Sequence, residues 1–363
     1  MKILYFAPIA YNGLKQRPQH IAELLSFNNE IWYIEPTISI MKYLLKGGRN
    51  YKLEQYDQNP NLHIIKLDGR FTAHISLQYL DFLNLNILSE YLQLRRLINE
   101  CDIIWVGYSG WYNLISKLKN KKIIYDKMDD DANLTLNKLL KRLILKVEPK
   151  LIKKADIIFV TAIKFYQEIS SKRDNVYYIP NAFNKNIEVN NNILFENNTN
   201  TSEKKVFGYI GTLAHWFDIK AINTILEADI THYVYLVGPC QIAKINHERV
   251  KYFGVVDKTE IGKYINFFDI CLFPFLNNKL LNTIDPVKIY EYLALNKPVI
   301  AINSIETNKF GQLIHTYRDY NELRKLSKTK LDLPFNFKSD YDKFFVENTW
   351  EKRVNDILKI LDK

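Results

Sequence analysis

Residues 285–301 read DPVKIYEYLALNKPVIA, and the lysine sits where helix physics does not favour one. Asp285 followed by Pro286 predicts a helix start: a capping carboxylate, then a proline whose φ already suits the first turn. The helix is expected to run to about Leu295, turn at Asn296-Lys297 and feed a buried strand, PVIA. Unpaired N–H groups make a helix N-terminus partly positive, so the first turn favours acids. Lys288 lies in that turn, and Glu291 follows three residues later on the same face. An anion outside the helix resolves the conflict. A diphosphate at Lys288 with a ribose at Glu291 matches the order of charges. The plain alternative is a surface Lys–Glu pair on a helix whose other face packs.

A second wall for such an anion is GYIGTLAHWFD (208–218). Gly211 ends an apolar run, and a glycine there lets backbone approach a ligand with no Cβ in the way. The next helix, starting near Asp218, directs its N-terminus at the same region, a placement suited to phosphate. A tight strand-to-helix turn would select glycine too. Neither G-x-G-x-x-G nor G-x-x-x-x-G-K-[ST] occurs in the chain, which argues against dinucleotide redox chemistry and a P-loop.

The elements that must position these residues alternate. Short apolar runs at 2–7, 30–35, 62–67, 102–108, 122–126, 156–162 and 176–180 are separated by helical stretches such as 77–99 and 132–154. An asparagine-rich stretch follows, and the pattern restarts at 205–211, 232–238, 250–255, 269–275 and 297–302. Strand–helix–strand repetition implies α/β architecture with parallel sheets. At 363 residues the chain suits two domains, since single domains run to about 100–200 residues. The expected division is 1–183, a linker at 184–204, 205–345, and a final amphipathic helix within 346–363 packing back on the first domain. Two such domains would face a central cleft at their strand ends, where ligands of open α/β sheets bind.

Composition narrows the class further. The hydrophobic content of 47% supports sizeable cores. No run approaches the roughly 20 apolar residues of a membrane span, and the N-terminus reads as a strand rather than a signal peptide. Cys101, Cys240 and Cys271 are scattered without ligand spacing, which fits a cytoplasmic protein without structural zinc. Of the net charge of +10, residues 1–180 carry +8, with 26 basic against 18 acidic residues. That asymmetry points to an anionic partner such as a membrane surface, or to a merely solvated face. Nucleic acid is the weaker candidate, because no recognisable RNA or DNA motif accompanies the charge.

The 285–301 segment resembles the nucleotide-binding signature of GT-B glycosyltransferases that assemble bacterial surface polysaccharides, the teichuronic-acid-type branch above all, which reads P-x-K-x-x-E-Y-x-A-x-G-K-P-V. Pro286, Lys288, Glu291, Tyr292, Ala294, Lys297, Pro298 and Val299 match; Asn296 replaces a glycine. QRPQHIAELL (16–25), IWYIEPT (31–37), IIYDKMDD (123–130) and the 208–218 segment also resemble that branch, in its order. The resemblance implies a GT-B fold of two Rossmann-like domains and a nucleotide-sugar donor, a UDP-sugar in first place. It implies Gly211, Thr212, Pro286, Lys288, Tyr290 and Glu291 as donor-binding residues and no metal or other cofactor. It places Arg17 and His20 on the acceptor side, although Arg17 could also meet the donor diphosphate and His20 could simply pack. Two departures stand out. The first glutamate of the common E-x7-E pattern is Thr283 here, and the cations that often follow the phosphate-loop glycine are missing.

Inverting sugar transfer needs a general base for the acceptor hydroxyl, and a strand-end carboxylate beside a like charge can supply it. Similarity to GT-B glucuronosyltransferases puts Asp129 first, with Asp130 and Asp126 after it. If transfer is retaining, these acids would hold the acceptor instead. The alternatives are helix capping by the same acids and a D-x-D metal motif, which belongs to single-domain enzymes. The helix at 137–156 sets Leu139, Leu140, Leu143, Ile144, Val147 and Leu151 on one face and seven cations around the rest, which suits either an anionic bilayer or a sheet with a solvated back. The expectation is a cytoplasmic glycosyltransferase, peripheral at the inner face of the plasma membrane, acting on a lipid-linked glycan acceptor. A UDP-sugar epimerase and a non-catalytic membrane-docking scaffold are the rival readings.

Overall fold

Each apolar run read from the sequence becomes a strand in the computed structural model, which describes residues 1–12, 15–37, 54–67, 79, 85–185, 204–335 and 337–362. The asparagine-rich stretch at 186–203 and residues 77–78 and 80–84 of the expected helix at 77–99 lie outside the described residues. The chain forms two compact units, Met1–Pro180 with Val354–Lys363, and Asn181–Arg353.

The first unit holds β1 (Lys2–Phe6), β2 (Glu30–Ile34), β3 (Glu54–Asn59), β4 (Leu62–Lys66), β5 (Ile103–Val106), β6 (Lys122–Lys127), β7 (Ile157–Val160) and β8 (Val176–Tyr178). They form one sheet in the order β3-β4-β2-β1-β5-β6-β7-β8, parallel throughout except where β3 pairs antiparallel with β4. Its helices are α1 (Arg17–Leu25), α2 (Leu85–Glu100), α3 (Tyr112–Ile115), α4 (Asp131–Leu134), α5 (Lys138–Lys154) and α6 (Ile163–Ser170). Side chains alternate across a strand, so the two faces bury separate cores. Leu4, Phe6, Ile104 and Val106 pack with Leu94 of α2, Leu151 of α5 and Phe165 of α6. Ile3, Tyr5, Ile103 and Trp105 pack on the other face with Ile21 and Ala22 of α1.

The second unit holds β9 (Lys205–Ile210), β10 (His232–Val237), β11 (Val250–Gly254), β12 (Ile270–Phe273), β13 (Val299–Ile302) and β14 (His315–Tyr317), in the order β11-β10-β9-β12-β13-β14. All its pairings are parallel. Its helices are α7 (Ile219–Ala228), α8 (Ile261–Phe267), α9 (Val287–Ala294), α10 (Ile305–Asn308), α11 (Tyr320–Lys328) and α12 (Lys338–Glu347). The last helix, α13 (Trp350–Leu361), contributes Val354, Ile357 and Leu361 to the α1-side core of the first unit.

In both sheets the first strand lies inside, with later strands added first on one side and then on the other. The strand order therefore reverses between β1 and β5 and between β9 and β12. Ligands of open α/β sheets gather outside the carboxyl ends of the strands at such reversals.

Candidate functional site

In the second unit, β9 ends at Ile210 and the chain turns at Gly211, whose N–H donates to the Val237 carbonyl at 2.9 Å. Gly211 takes φ 155°, and a Cβ there would lie 2.6 Å from the Tyr209 hydroxyl. Gly238, at the end of β10, closes on it: with φ 130°, a Cβ would come within 2.2 Å of the Gly211 carbonyl oxygen. Two strand ends thus meet backbone to backbone, and only glycine permits the approach. Sequence reading missed Gly238; its place at the end of an apolar run was the available signal. Asp218 caps α7 by accepting from the Ala221 N–H at 3.2 Å, as its position predicts.

Tyr292 ties α9 to this turn. It is fully buried, its hydroxyl accepts the Ile210 N–H at 3.0 Å, and burial pushes its phenol pKa well up. One residue before it, Glu291 meets Lys288 through Oε2–Nζ at 2.7 Å, with the side chains 12% and 24% exposed. The pair faces outward, and both members remain reachable. Asn296 follows α9 at φ 51°, the left-handed position a glycine would otherwise fill.

Asp285 does not cap α9. The helix takes Pro286 as its N-cap and has no side-chain cap at all. The Asp285 side chain is wholly buried: it pairs with Lys309, and it accepts the Asn181 N–H. Lys309 was not singled out from the sequence, because nothing local links it to Asp285. Pro286 and Tyr290 are buried; the Tyr290 ring packs edge-on against Phe310 at 4.9 Å. Thr283, where the pattern carries its first glutamate, is buried and donates its hydroxyl to the Leu280 carbonyl. Thr212 is half-buried beside Gly211.

In the first unit the four aspartates of the β6 end separate by role. Arg17 and Asp126, both read from the sequence as site residues, form a buried ion pair instead. The guanidinium reaches both carboxylate oxygens at 2.9–3.1 Å and donates to the Ile179 carbonyl at 2.9 Å, and the residues are 4% and 0% exposed. Burial and this bidentate contact set the pair apart from solvent chemistry. It fastens α1 to β6 and β8. His20 is buried on the same helix. Asp130 caps α4, accepting the Asn133 N–H at 3.1 Å, so one of the acids serves the helix, as the capping alternative holds. Asp129 is exposed.

Asp131, in the first turn of α4, was not singled out by the sequence. Its pKa is pushed up to about 7, first by burial and then by the neighbouring Asp129, Glu148 and Asp130, against the pull of Lys127. Lys127 itself is buried on Glu148 at 2.6 Å, the oxygen that also accepts from Tyr125 at 2.6 Å. The end of β6 thus offers one exposed carboxylate beside one that titrates near neutrality, a pairing able to accept a proton. Among the described residues no three His, Cys, Asp or Glu side chains gather as a metal site.

No family model matches the chain. A curated sequence described as a teichuronic acid biosynthesis glycosyltransferase, TuaH of Bacillus subtilis (strain 168), is 24% identical over 229 residues. The match covers 57% of this chain and 56% of that protein, so the chain spans little more than half the length of the relative. Among solved structures, sucrose-phosphate synthase from Thermosynechococcus elongatus superposes with a TM-score of 0.74 at 12% identity, covering 99% of this chain and 98% of the other. Anabaena HepE in complex with UDP and glucose superposes with a TM-score of 0.67 at 12% identity, covering 100% and 99%. Agreement over whole chains at such low identity is agreement of fold. The chain has the GT-B fold of two Rossmann-like domains.

Proposed function

We propose that this protein is a glycosyltransferase that takes its sugar from a nucleoside diphosphate, UDP in first place, and adds it to a lipid-linked surface glycan. The observation that carries the reading is the Lys288–Glu291 pair on α9, a helix without a side-chain cap that Tyr292 ties to the Gly211 turn. Its support from relatives is the similarity to TuaH and to HepE with UDP and glucose. On donor binding, Lys288 exchanges Glu291 for the diphosphate and Glu291 accepts the ribose hydroxyls. The acceptor oxygen attacks the anomeric carbon, the bond from that carbon to the diphosphate breaks, and the leaving group keeps the electron pair. Lys288 and the α9 N-terminus stabilise that charge. In an inverting reaction Asp129 takes the acceptor proton; in a retaining one the carboxylates that follow β6, Asp129 first, hold the acceptor. The lysine and helix dipole do the work of a divalent cation, so the donor is expected to bind without metal.

The lipid-linked acceptor and a peripheral place on the cytoplasmic membrane face have their own support. Lys138, Arg142, Lys146, Lys150 and Lys153 are exposed on α5, and among the described residues none pairs with an acid. Leu136, Leu139 and Leu145 are 77%, 53% and 56% exposed among them. Leucines within a basic face suit an anionic bilayer. No described helix is long and apolar enough to cross a membrane.

A thermal-shift panel of UDP-, GDP-, ADP-, CMP- and TDP-sugars, with and without EDTA, tests the reading, because a ligand that binds only the folded state raises its apparent stability. A shift confined to one nucleotide, UDP by expectation, and insensitive to EDTA supports it. No shift with any of them would sink it. Turnover of donor without acceptor, seen as solvent deuterium entering the sugar, would replace it with an epimerase.

A further inference from the structure

A carboxylate able to block the proposed donor site is held by a lysine and a backbone N–H. Aspartate is among the best helix caps, and Asp285 stands directly before the N-cap Pro286 of α9. A carboxylate swung onto the first turn would occupy its N–H groups and repel any phosphate. Instead, the Asp285 side chain is 0% exposed, with Oδ1 on Lys309 Nζ and Oδ2 on the Asn181 N–H. Lys309 follows α10, 13% exposed, with its ammonium 5.3 Å from the ring centroids of Tyr290 and Phe310 and 3.3 Å from Glu306. Asn181 adds a second sign. Its Nδ2 donates to the Asp285 carbonyl at 3.2 Å, which fixes the amide's orientation. Its buried Oδ1 then has no hydrogen-bond partner. Asn181 thus grips Asp285 at both its side chain and its carbonyl.

We propose that Lys309 is a positioning residue of the donor site: by sequestering the Asp285 carboxylate it keeps the N-terminus of α9 open to the donor diphosphate. The inference rests on the donor reading given above. It explains why α9 starts without a side-chain cap although an aspartate is at hand, and why a half-buried lysine sits between two buried acids. A purely structural role, neutralising two buried acids, would affect stability and leave the nucleotide's phosphates indifferent.

Lys309→Met keeps the stem between Tyr290 and Phe310 and removes the charge. Calorimetric titration of the full chain with UDP and with uridine is expected to show UDP affinity falling at least tenfold while uridine affinity stays unchanged. Lys309→Met/Asp285→Asn removes the released carboxylate as well, and should bring UDP affinity back to within about threefold of the parent. It also keeps the test usable if the single variant folds poorly. A double variant no better than the single one, or a single variant with unchanged UDP affinity, would overturn the proposal. Without nucleotide, amide exchange at Lys288 should slow in Lys309→Met as the freed carboxylate caps the helix. Unchanged exchange would also count against the proposal. If the parent binds no UDP, the donor reading falls while this exchange result still decides the role of Lys309.

Discussion

At the scale of single residues, the proposed inverting reaction gives the acceptor proton to Asp129. Asp129→Asn is expected to lower transfer by roughly 10²–10⁴-fold and leave donor binding intact; parental transfer rates with Asp129→Asn would remove it as the base. Asp131 makes a separate prediction through its pKa of about 7. The folded protein holds that proton up to about pH 7, whereas an unfolded aspartate releases it near about pH 3.9. The folded state therefore binds more protons across this window, and stability falls as pH rises through it. Asp131→Asn should match the parent in thermal midpoint near pH 4 and exceed it at pH 8. Coincident midpoints at both values would show that the acid is not strained by burial. Single residues were legible where local chemistry decides them. Asn296 could be read because few residues other than glycine tolerate φ 51°. Arg17 with Asp126, and Asp285 with Lys309, could not, since the partners are brought together by folding across 109 and 24 positions.

Elements were more legible than contacts. Parallel strands buried on both faces read as unbroken apolar runs, and β5, β7, β12 and β13 are buried at every position. The two strands not read, β3 and β14, show the limit: EQYDQN is a polar edge strand, and HTY is only three residues long. The amphipathic stretch at 132–154 is two helices, α4 and α5, because Thr135 is extended and Asn137 caps α5 by accepting from Leu139 and Leu140. On α5, Ile144, Val147 and Leu151 are the buried face, while Leu139, expected among them, is exposed. Reversing Lys138, Arg142 and Lys146 to glutamate should abolish co-sedimentation with phosphatidylglycerol vesicles, and neutral phosphatidylcholine vesicles should bind neither protein. Equal binding to both vesicle types would discard the bilayer reading. Packing of α9 on the sheet makes the other test at this scale. Tyr292→Phe leaves the buried Ile210 N–H without its acceptor, so stability should drop by about 1–3 kcal/mol. A denaturation midpoint within error of the parent would show that water replaces the hydroxyl.

For the whole molecule, one chain repeats the same construction in two units, Met1–Pro180 with Val354–Lys363 and Asn181–Arg353, and the proposed function draws its donor-binding residues from the second and its acceptor-side carboxylates from the first. The central claim is that the second unit binds a nucleoside diphosphate through Lys288 at the start of α9. Titration of UDP and of uridine into the parent and into Lys288→Ala measures it most directly. The variant is expected to lose about 1.5–3 kcal/mol of UDP binding, the scale of a charged hydrogen bond, and to keep its affinity for uridine. Equal losses for UDP and uridine, or none for either, would contradict it.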